Sequence, residues 1–194
     1  MPRLWADSVD EHRTLVRRRL VDAFVELLDE GPMDDVTVSA VAERAGLARS
    51  AVYNHVDHVH DLALLHAEEV IGQWLAPLRA ESGSALDRLD RLVATSFEVF
   101  ASDKLGGMDL TGHLDEERSA RMFGLLAPIM AHLHQLVADG VTSGEFVDED
   151  PAELAQFVWA TIGGYRSILG SGRTDPAEAA AMTSRMLHRA LVGP

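Results

Sequence analysis

The chain of 194 residues has no cysteine, which excludes disulfide bonds, a thiolate nucleophile and any zinc site built on cysteine. It also has no apolar run near the roughly 20 residues that a membrane-spanning helix needs. The N-terminal stretch MPRLWADSVDEHRT lacks the apolar core of a signal peptide. We therefore expect a protein that stays in the cytoplasm and makes no contact with a membrane.

The period-2 alternation of a half-buried strand is missing throughout, and apolar residues recur with helical spacing instead. The apolar stripes run over residues 11–30, 86–100, 116–140 and 154–169. Asp150-Pro151 and Asp175-Pro176 each predict a helix start, because proline is favoured at the first helical position. The predicted fold class is all-α.

The composition, 47% hydrophobic and 25% charged, is that of an ordinary globular protein, but the net charge of −14 opposes binding to nucleic acid. Residues 1–60 carry 7 arginines against 11 acidic residues, a charge of −4, and residues 61–194 have a charge of −10. DNA binding therefore requires that the arginines share one face. The arginines available for such a face are Arg13, Arg17, Arg18, Arg19, Arg44 and Arg49.

The most informative segment is TVSAVAERAGLARSAVYNHVDHVHDL, which runs from Thr37 to Leu62. Thr37 can cap a short helix, and Gly46 can end it because a residue without Cβ adopts a positive φ freely. A second short helix is predicted from about Arg49 to His55. Two short helices joined by a tight glycine turn predict a helix-turn-helix, and hence DNA binding.

This segment resembles the DNA-binding signature of TetR-type transcriptional regulators. The matching positions are Thr37, Val38, Val41, Ala42, Ala45, Gly46, Leu47, Ala48, Ser50, Ala51, Val52, Tyr53 and His55, with Leu62 beyond. Including the apolar helix upstream, the resemblance covers roughly residues 11–75. Two positions depart from the family pattern: Val56 replaces its usual phenylalanine, and Val59 replaces a lysine that would contact phosphate.

The predicted DNA-binding residues fall into two groups. Arg49, Ser50 and Asn54 are candidates for reading base edges, since arginine can bridge guanine O6 and N7 and asparagine can pair with adenine. Thr37, Tyr53 and His55 suit phosphate contacts, which fix register without reading sequence. The predicted DNA-binding domain spans residues 1–60.

Residues 61–194 form the predicted helical domain for effector binding and dimerisation. The family resemblance implies a cavity for a small, largely apolar effector. The residues proposed to line it are Phe97, Phe100, Met122, Phe123, Met130 and His134. The last two helices are rich in apolar and small residues, and the resemblance implies that they form a four-helix bundle with a second subunit. A two-fold dimer would also place two recognition helices about one DNA turn apart, roughly 34–36 Å.

The function predicted is a ligand-responsive repressor that binds a pseudo-palindromic, double-stranded DNA operator as a homodimer. No cofactor, metal or catalytic role is expected, because no nucleophile–base spacing stands out and His55, His58 and His60 need not converge on one ion. Two alternatives stay open. One is a helical module that binds a small molecule or a protein without reading DNA, and the other is an α-helical enzyme.

Overall fold

The structure, a computed structural model, describes residues 9–79, 82–102 and 114–192. Within these ranges the chain is helical and has no strand, which confirms the predicted all-α class. A 3₁₀ turn lies at Met33–Asp35. The α-helices are α1 (Val9–Glu30), α2 (Val38–Arg44), α3 (Arg49–Val52), α4 (His60–Leu78), α5 (Ala85–Ser102), α6 (Glu116–Ser143), α7 (Pro151–Gly164), α8 (Arg166–Gly170) and α9 (Pro176–Leu191).

Two of these helices begin where an aspartate precedes a proline. The Asp150 carboxylate accepts a hydrogen bond from Ala152 N at 3.0 Å, and the Asp175 carboxylate accepts one from Glu178 N at 2.8 Å. Each carboxylate satisfies a backbone N–H that has no partner within its own helix. The predicted starts of α7 and α9 are confirmed.

The apolar run over residues 154–169 forms two helices rather than one. Tyr165 N donates to Ile162 O at 3.1 Å, a tighter i→i+3 closure that ends α7 before α8 begins. Gly163 and Gly164 directly precede this point, and glycine is among the residues least favourable to a helix interior. Hydrophobic periodicity alone does not register such a break.

The chain divides into two compact units, of which the first comprises the described residues 9–67 and 114–122. In it α1 packs against α2, and α2 packs against α3. The fully buried side chains at its centre are Leu20, Phe24, Val41, Val52 and Leu62. This compact unit includes the first residues of α4 and of α6. The domain boundary that we expect between residues 60 and 61 stays a prediction.

The second unit comprises the described residues 68–79, 82–102 and 123–192. Here α5 packs against α8 and α9, and α7 packs against α8 and α9. Fully buried residues from α5, α6, α7 and α9 fill its core, among them Leu89, Phe97, Leu133, Val158 and Leu191. Within the ranges that the structure describes, every helix is too short or too polar to cross a membrane.

The loop after α6 is held in place by a close contact between Gly140 and Phe146. A Cβ atom placed on Gly140 would lie 2.3 Å from Cδ2 of the buried Phe146 ring. In the same loop, Glu145 accepts hydrogen bonds from Ala85 N and Leu86 N at the start of α5, and Val147 N donates to Leu191 O at the end of α9. Moving Phe146 would therefore disturb two further helices.

Gly140→Ala is expected to lower the free energy of unfolding by about 1–3 kcal/mol, because the added methyl group overpacks the contact with Phe146. The matched control is Gly124→Ala in the same helix, where an added Cβ meets no atom within 4 Å. That control should be neutral or stabilising, since alanine is the better helix former. Urea unfolding measures both variants, and equal midpoints would contradict the prediction.

Candidate nucleic-acid interface

Side-chain capping and a positive-φ glycine form the helix-turn-helix as predicted. Thr37 has extended backbone angles, and its Oγ1 accepts a hydrogen bond from Ala40 N at 3.1 Å. Gly46 has a φ of 67°, and beyond it Leu47 N donates to Ala42 O at 2.9 Å. This wraparound bond satisfies a carbonyl at the end of α2 and redirects the chain into α3.

The second helix is shorter than the sequence predicts, since α3 ends at Val52 rather than near His55. Residues 53–55 continue as a turn, in which Asn54 N donates to Ala51 O at 3.3 Å and His55 N donates to Val52 O at 2.9 Å. These are i→i+3 bonds, which end a regular α-helix while keeping the chain coiled. The residues after Val52 therefore still follow α3 in space.

This segment presents its polar side chains to solvent. Arg49, Ser50, Tyr53 and Asn54 are exposed, as is Thr37 at the start of α2, whereas His55 is half-buried. Arg49 Nη2 donates to the Tyr53 hydroxyl at 3.3 Å, and the guanidinium lies 5.9 Å from the centre of the tyrosine ring. The pair orients the arginine without burying it, so its remaining N–H groups stay available.

Basic side chains near the start of α1 set the charge around His55. The pKa of His55 lies below its usual value of 6.5, first because of partial burial and then because of the positive charges of Arg13, His12 and Arg17. Those basic side chains are therefore close enough to His55 to repel a proton from it. His55 is neutral near pH 7, and the positive charge beside it comes from α1.

Arg44, also expected to contribute positive charge, is engaged by two glutamates of α1. Its guanidinium lies 3.3 Å from Glu26 Oε2 and 2.8 Å from Glu30 Oε2. The hydrogen bond to Arg44 holds the pKa of Glu30 below its usual value. Glu30 thus stays ionised, and its charge offsets that of Arg44.

The chain after α3 and its following turn is held by the carboxylate of Asp61. Asp61 Oδ2 accepts hydrogen bonds from Asp57 N at 3.0 Å and His58 N at 2.8 Å, and Oδ1 accepts one from Arg118 Nε at 2.8 Å. Arg118, at the start of α6, also pairs with Asp115, so two carboxylates share it. The side chains of Asp61 and Arg118 are only 13% and 20% exposed.

The Asp61 carboxylate stays ionised despite its burial. Desolvation alone raises the pKa of Asp61, but the hydrogen bonds from Arg118 and from His58 N outweigh that effect and bring the pKa below its usual 3.8. The sequence analysis missed this pair. The acid three residues after His58 is a local capping signal, but nothing local indicates a partner 57 residues away.

The two departures from the signature are both core positions, since Val56 and Val59 are 4% and 8% exposed. The nearby histidines do not form a metal site. The rings of His58 and His60 lie 4.5 Å apart, and His60 N donates to His58 Nδ1. Among the described residues, no three histidine, aspartate or glutamate side chains are grouped to hold an ion.

The second unit contains a cluster of aromatic rings. The Trp74 ring contacts Phe100 edge-on at 5.3 Å and stacks on Trp159 at 6.3 Å, and the Phe97 ring lies 4.9 Å from Tyr165. Of these rings the sequence analysis proposed only Phe97 and Phe100 for the effector site. Trp74, Trp159 and Tyr165 lie on other helices, and only the fold brings them together.

The other four effector candidates lie on α6 in varied surroundings. Met122 and Met130 are half-buried, whereas Phe123 is 68% exposed and His134 is also exposed. A separate cavity of about 470 Å³ lies between α5 and α9 and is lined by Asp90, Glu98 and Arg185 together with small residues of α9. None of the six candidates lines it.

Comparison with known proteins identifies the helix-turn-helix. Residues 20–55, which include all of α2 and α3, match the family model described as bacterial regulatory proteins of the tetR family. These residues therefore form a DNA-binding domain of the tetR type.

Relatives of the chain match over most of their length. The chain is 27% identical over 193 residues to an uncharacterized HTH-type transcriptional regulator of Mycobacterium tuberculosis, with 96% of this chain and 84% of the relative covered. It is 23% identical over 153 residues to the fatty acid metabolism regulator protein of Bacillus subtilis, with 74% and 78% covered.

Solved structures share the fold at low identity. The fatty acid degradation regulator FadR of Bacillus halodurans superposes with a TM-score of 0.80 at 19% identity, covering 90% of this chain and 95% of that one. FadR of Bacillus subtilis in complex with stearoyl-CoA gives a TM-score of 0.79 at 20% identity, with 89% and 97% covered. These likenesses extend the TetR-type fold over both units.

Arg118→Met is expected to lower the free energy of unfolding by about 1–3 kcal/mol at pH 7, because it leaves the Asp61 carboxylate largely buried with fewer partners. The folded-state pKa of Asp61 is depressed, so the difference from wild type is complete above the usual pKa of 3.8. It is lost as the pH falls through the lower folded-state pKa. Chemical unfolding between pH 7 and pH 3 measures the effect.

The control for this prediction is Arg121→Met, one turn along α6, where the arginine is exposed. Its unfolding should change little at any pH, because an exposed charge contributes little to stability. A difference for Arg118→Met that persists undiminished at pH 3 would show that Asp61 is not the group it acts through.

Proposed function

We propose that the protein is a homodimeric, ligand-responsive repressor that acts in the cytoplasm and binds a pseudo-palindromic operator. The observation that carries this proposal is the recognition segment, where four polar side chains with base- or phosphate-binding chemistry are exposed together on α3 and the turn after it. Since α3 follows the tight turn at Gly46, it takes the place of the helix that enters the major groove in a helix-turn-helix.

Within this segment we assign base reading to Arg49, Ser50 and Asn54. The guanidinium of Arg49 keeps N–H donors beyond the one given to Tyr53, and a bidentate contact to guanine needs two. Ser50 and Asn54 are exposed near it on α3 and its following turn. These three residues would set the operator sequence.

Phosphate contacts are assigned to Thr37, Tyr53 and His55, with added charge from Arg13 and Arg17. Neutral His55 can donate one N–H to a phosphate oxygen, and the phosphate would favour its protonation. The nearby arginines offset the −4 charge of residues 1–60 locally, while the acidic remainder of the chain repels DNA elsewhere. We expect weak non-specific binding and a steep loss of affinity with salt.

An exposed apolar surface on the last helices supports the homodimer. Phe157 on α7, Ile168 on α8, and Met182 and Met186 on α9 are 41–53% exposed, although large apolar side chains are usually buried. Gly163 and Gly164, at the end of α7, are also exposed. A Cβ added at either position meets no atom within 4 Å, so a second helix can approach closely. A second copy of the chain would cover this surface.

For the effector we propose a small, largely apolar molecule, with long-chain acyl compounds as the first candidates. The ring cluster of the second unit supplies apolar contact area, and Phe97 and Phe100 belong to it. The similarity to two FadR proteins, one in complex with stearoyl-CoA, supports the acyl class. Such a ligand can release DNA only if it binds the DNA-free conformation more tightly.

The proposal is tested by binding of the purified protein to DNA from around its own gene, against unrelated DNA of equal length, over a salt titration. Selective binding with a footprint of two half-sites is expected, together with release by stearoyl-CoA. If stripping bound ligand by refolding, followed by a genome-wide selection, also yields no selective site, a binding module that does not read DNA would replace the repressor.

Arg49→Ala is expected to weaken operator binding by about 1–3 kcal/mol and to relax preference at one base position, because it removes a base contact. Fluorescence anisotropy on the operator and on single-base variants measures both effects. Arg173→Ala, in a loop of the second unit, serves as the charge-matched control and should bind like wild type. Unchanged specificity in Arg49→Ala would remove Arg49 from the base-reading group.

Phe157→Arg is expected to convert the dimer to a monomer and to reduce operator affinity strongly, since one half-site then binds alone. Phe123→Arg is the matched control, because Phe123 is even more exposed but lies on α6. Sedimentation equilibrium reports the mass of each variant, and circular dichroism checks folding. A Phe157→Arg protein that remains a dimer would place the interface elsewhere.

A further inference from the structure

A buried hydrogen-bond donor in the second unit lacks an acceptor. Trp74 on α4 is 3% exposed, and its Nε1–H has no hydrogen-bond partner among the residues that the structure describes. The indole nitrogen can only donate, so a carbonyl or carboxylate oxygen is what it needs. Nearly all buried polar groups in proteins are satisfied, and one that is not calls for a specific explanation.

The side chains around Trp74 are aromatic rings, which supply no strong acceptor from the described part of the chain. Phe100 meets the indole edge-on at 5.3 Å, and Trp159 stacks on it with planes 17° apart. Neither neighbour has a hydrogen-bond acceptor of the strength of a carbonyl oxygen. The donor is thus placed in apolar surroundings, where a hydrogen bond is stronger than in water.

A positive charge that makes no ion pair within the described ranges lies against the same ring cluster. The Arg166 guanidinium, at the start of α8, is 6.0 Å from the centre of the Phe100 ring, and the side chain is exposed. No described carboxylate forms an ion pair with it. The Phe100 ring therefore lies beside both the Trp74 indole and the Arg166 guanidinium.

We propose that the effector is a long-chain acyl compound whose carbonyl oxygen accepts the hydrogen bond of Trp74 Nε1–H. Its alkyl chain packs against the rings of Trp74, Phe100 and Trp159, and its anionic end lies toward Arg166. This assignment rests on the proposed ligand response and adds to it the chemical group recognised and the residue that recognises it. A free carboxylate and a thioester both offer the required oxygen.

Three probes of one chain length separate these possibilities: stearoyl-CoA, free stearate, and the thioether S-octadecyl-CoA, which has the same head group but no carbonyl. Trp74→Phe removes the N–H and keeps an aromatic ring. It is expected to weaken binding of the carbonyl-containing probe that the protein recognises by about tenfold, the effect of one hydrogen bond. Binding of the thioether should weaken by a clearly smaller factor, because it loses apolar contact alone.

The matched control is Trp159→Phe, the same substitution in the stacked ring, which leaves the Trp74 N–H in place. It should weaken all the probes that bind by a similar factor, because it removes only apolar contact. If Trp74→Phe also weakens acyl and thioether probes equally, Trp74 acts through packing alone and the proposal is wrong. Preference for stearate over stearoyl-CoA, or the reverse, identifies the source of the carbonyl.

A second measurement uses the wild-type protein and does not depend on a variant that folds. With ¹⁵N-labelled tryptophan the chain has three indole N–H signals, from Trp5, Trp74 and Trp159. The Trp74 proton should move downfield on adding the bound acyl probe and not on adding the thioether. An unmoved signal, or a wild-type protein that binds none of the probes, overturns the assignment. Selective operator binding would still uphold the regulator in that case.

Discussion

The recognition segment depends on one carboxylate, that of Asp61. Helix α3 is four residues long, too short to be stable by its own hydrogen bonds, so its position must come from the contacts at its two ends. Gly46 and Leu47 fix the chain before it, and Asp61 holds the backbone N–H groups of Asp57 and His58 after it. The other oxygen of Asp61 accepts a hydrogen bond from Arg118, so the start of α6 also supports the loop that follows α3.

Features governed by neighbouring residues could be predicted from the sequence. The Thr37 cap, the positive φ of Gly46 and the aspartate caps before Pro151 and Pro176 each follow from chemistry within three residues. Interactions between distant segments could not be predicted in this way. The Arg118–Asp61 pair joins residues 57 positions apart, and the aromatic cluster takes its rings from different helices. The same limit applies to Arg44. It forms ion pairs with two glutamates of α1, which residues near it in the sequence do not predict.

Charge placement reconciles a net charge of −14 with DNA binding. An arginine neutralised by neighbouring glutamates contributes nothing to the attraction of phosphates, so Arg44 is excluded and α1 provides the local positive charge near His55. Phosphate contacts fix the register of a protein on DNA, whereas specificity comes from base edges. An acidic body suits that arrangement, because repulsion away from the recognition segment suppresses binding in the wrong orientation.

A ligand that binds the second unit changes DNA affinity only if it favours one conformation over another. Helix α4 runs from His60 to Leu78, with Asp61 in its first turn and Trp74 nearer its end. Because Asp61 has several partners, a shift that weakens some of them leaves a buried charge less well compensated, at a steep cost in free energy. A conformation that keeps every partner of Asp61 is therefore separated in free energy from one that does not, and a ligand changes their populations only by its differential affinity.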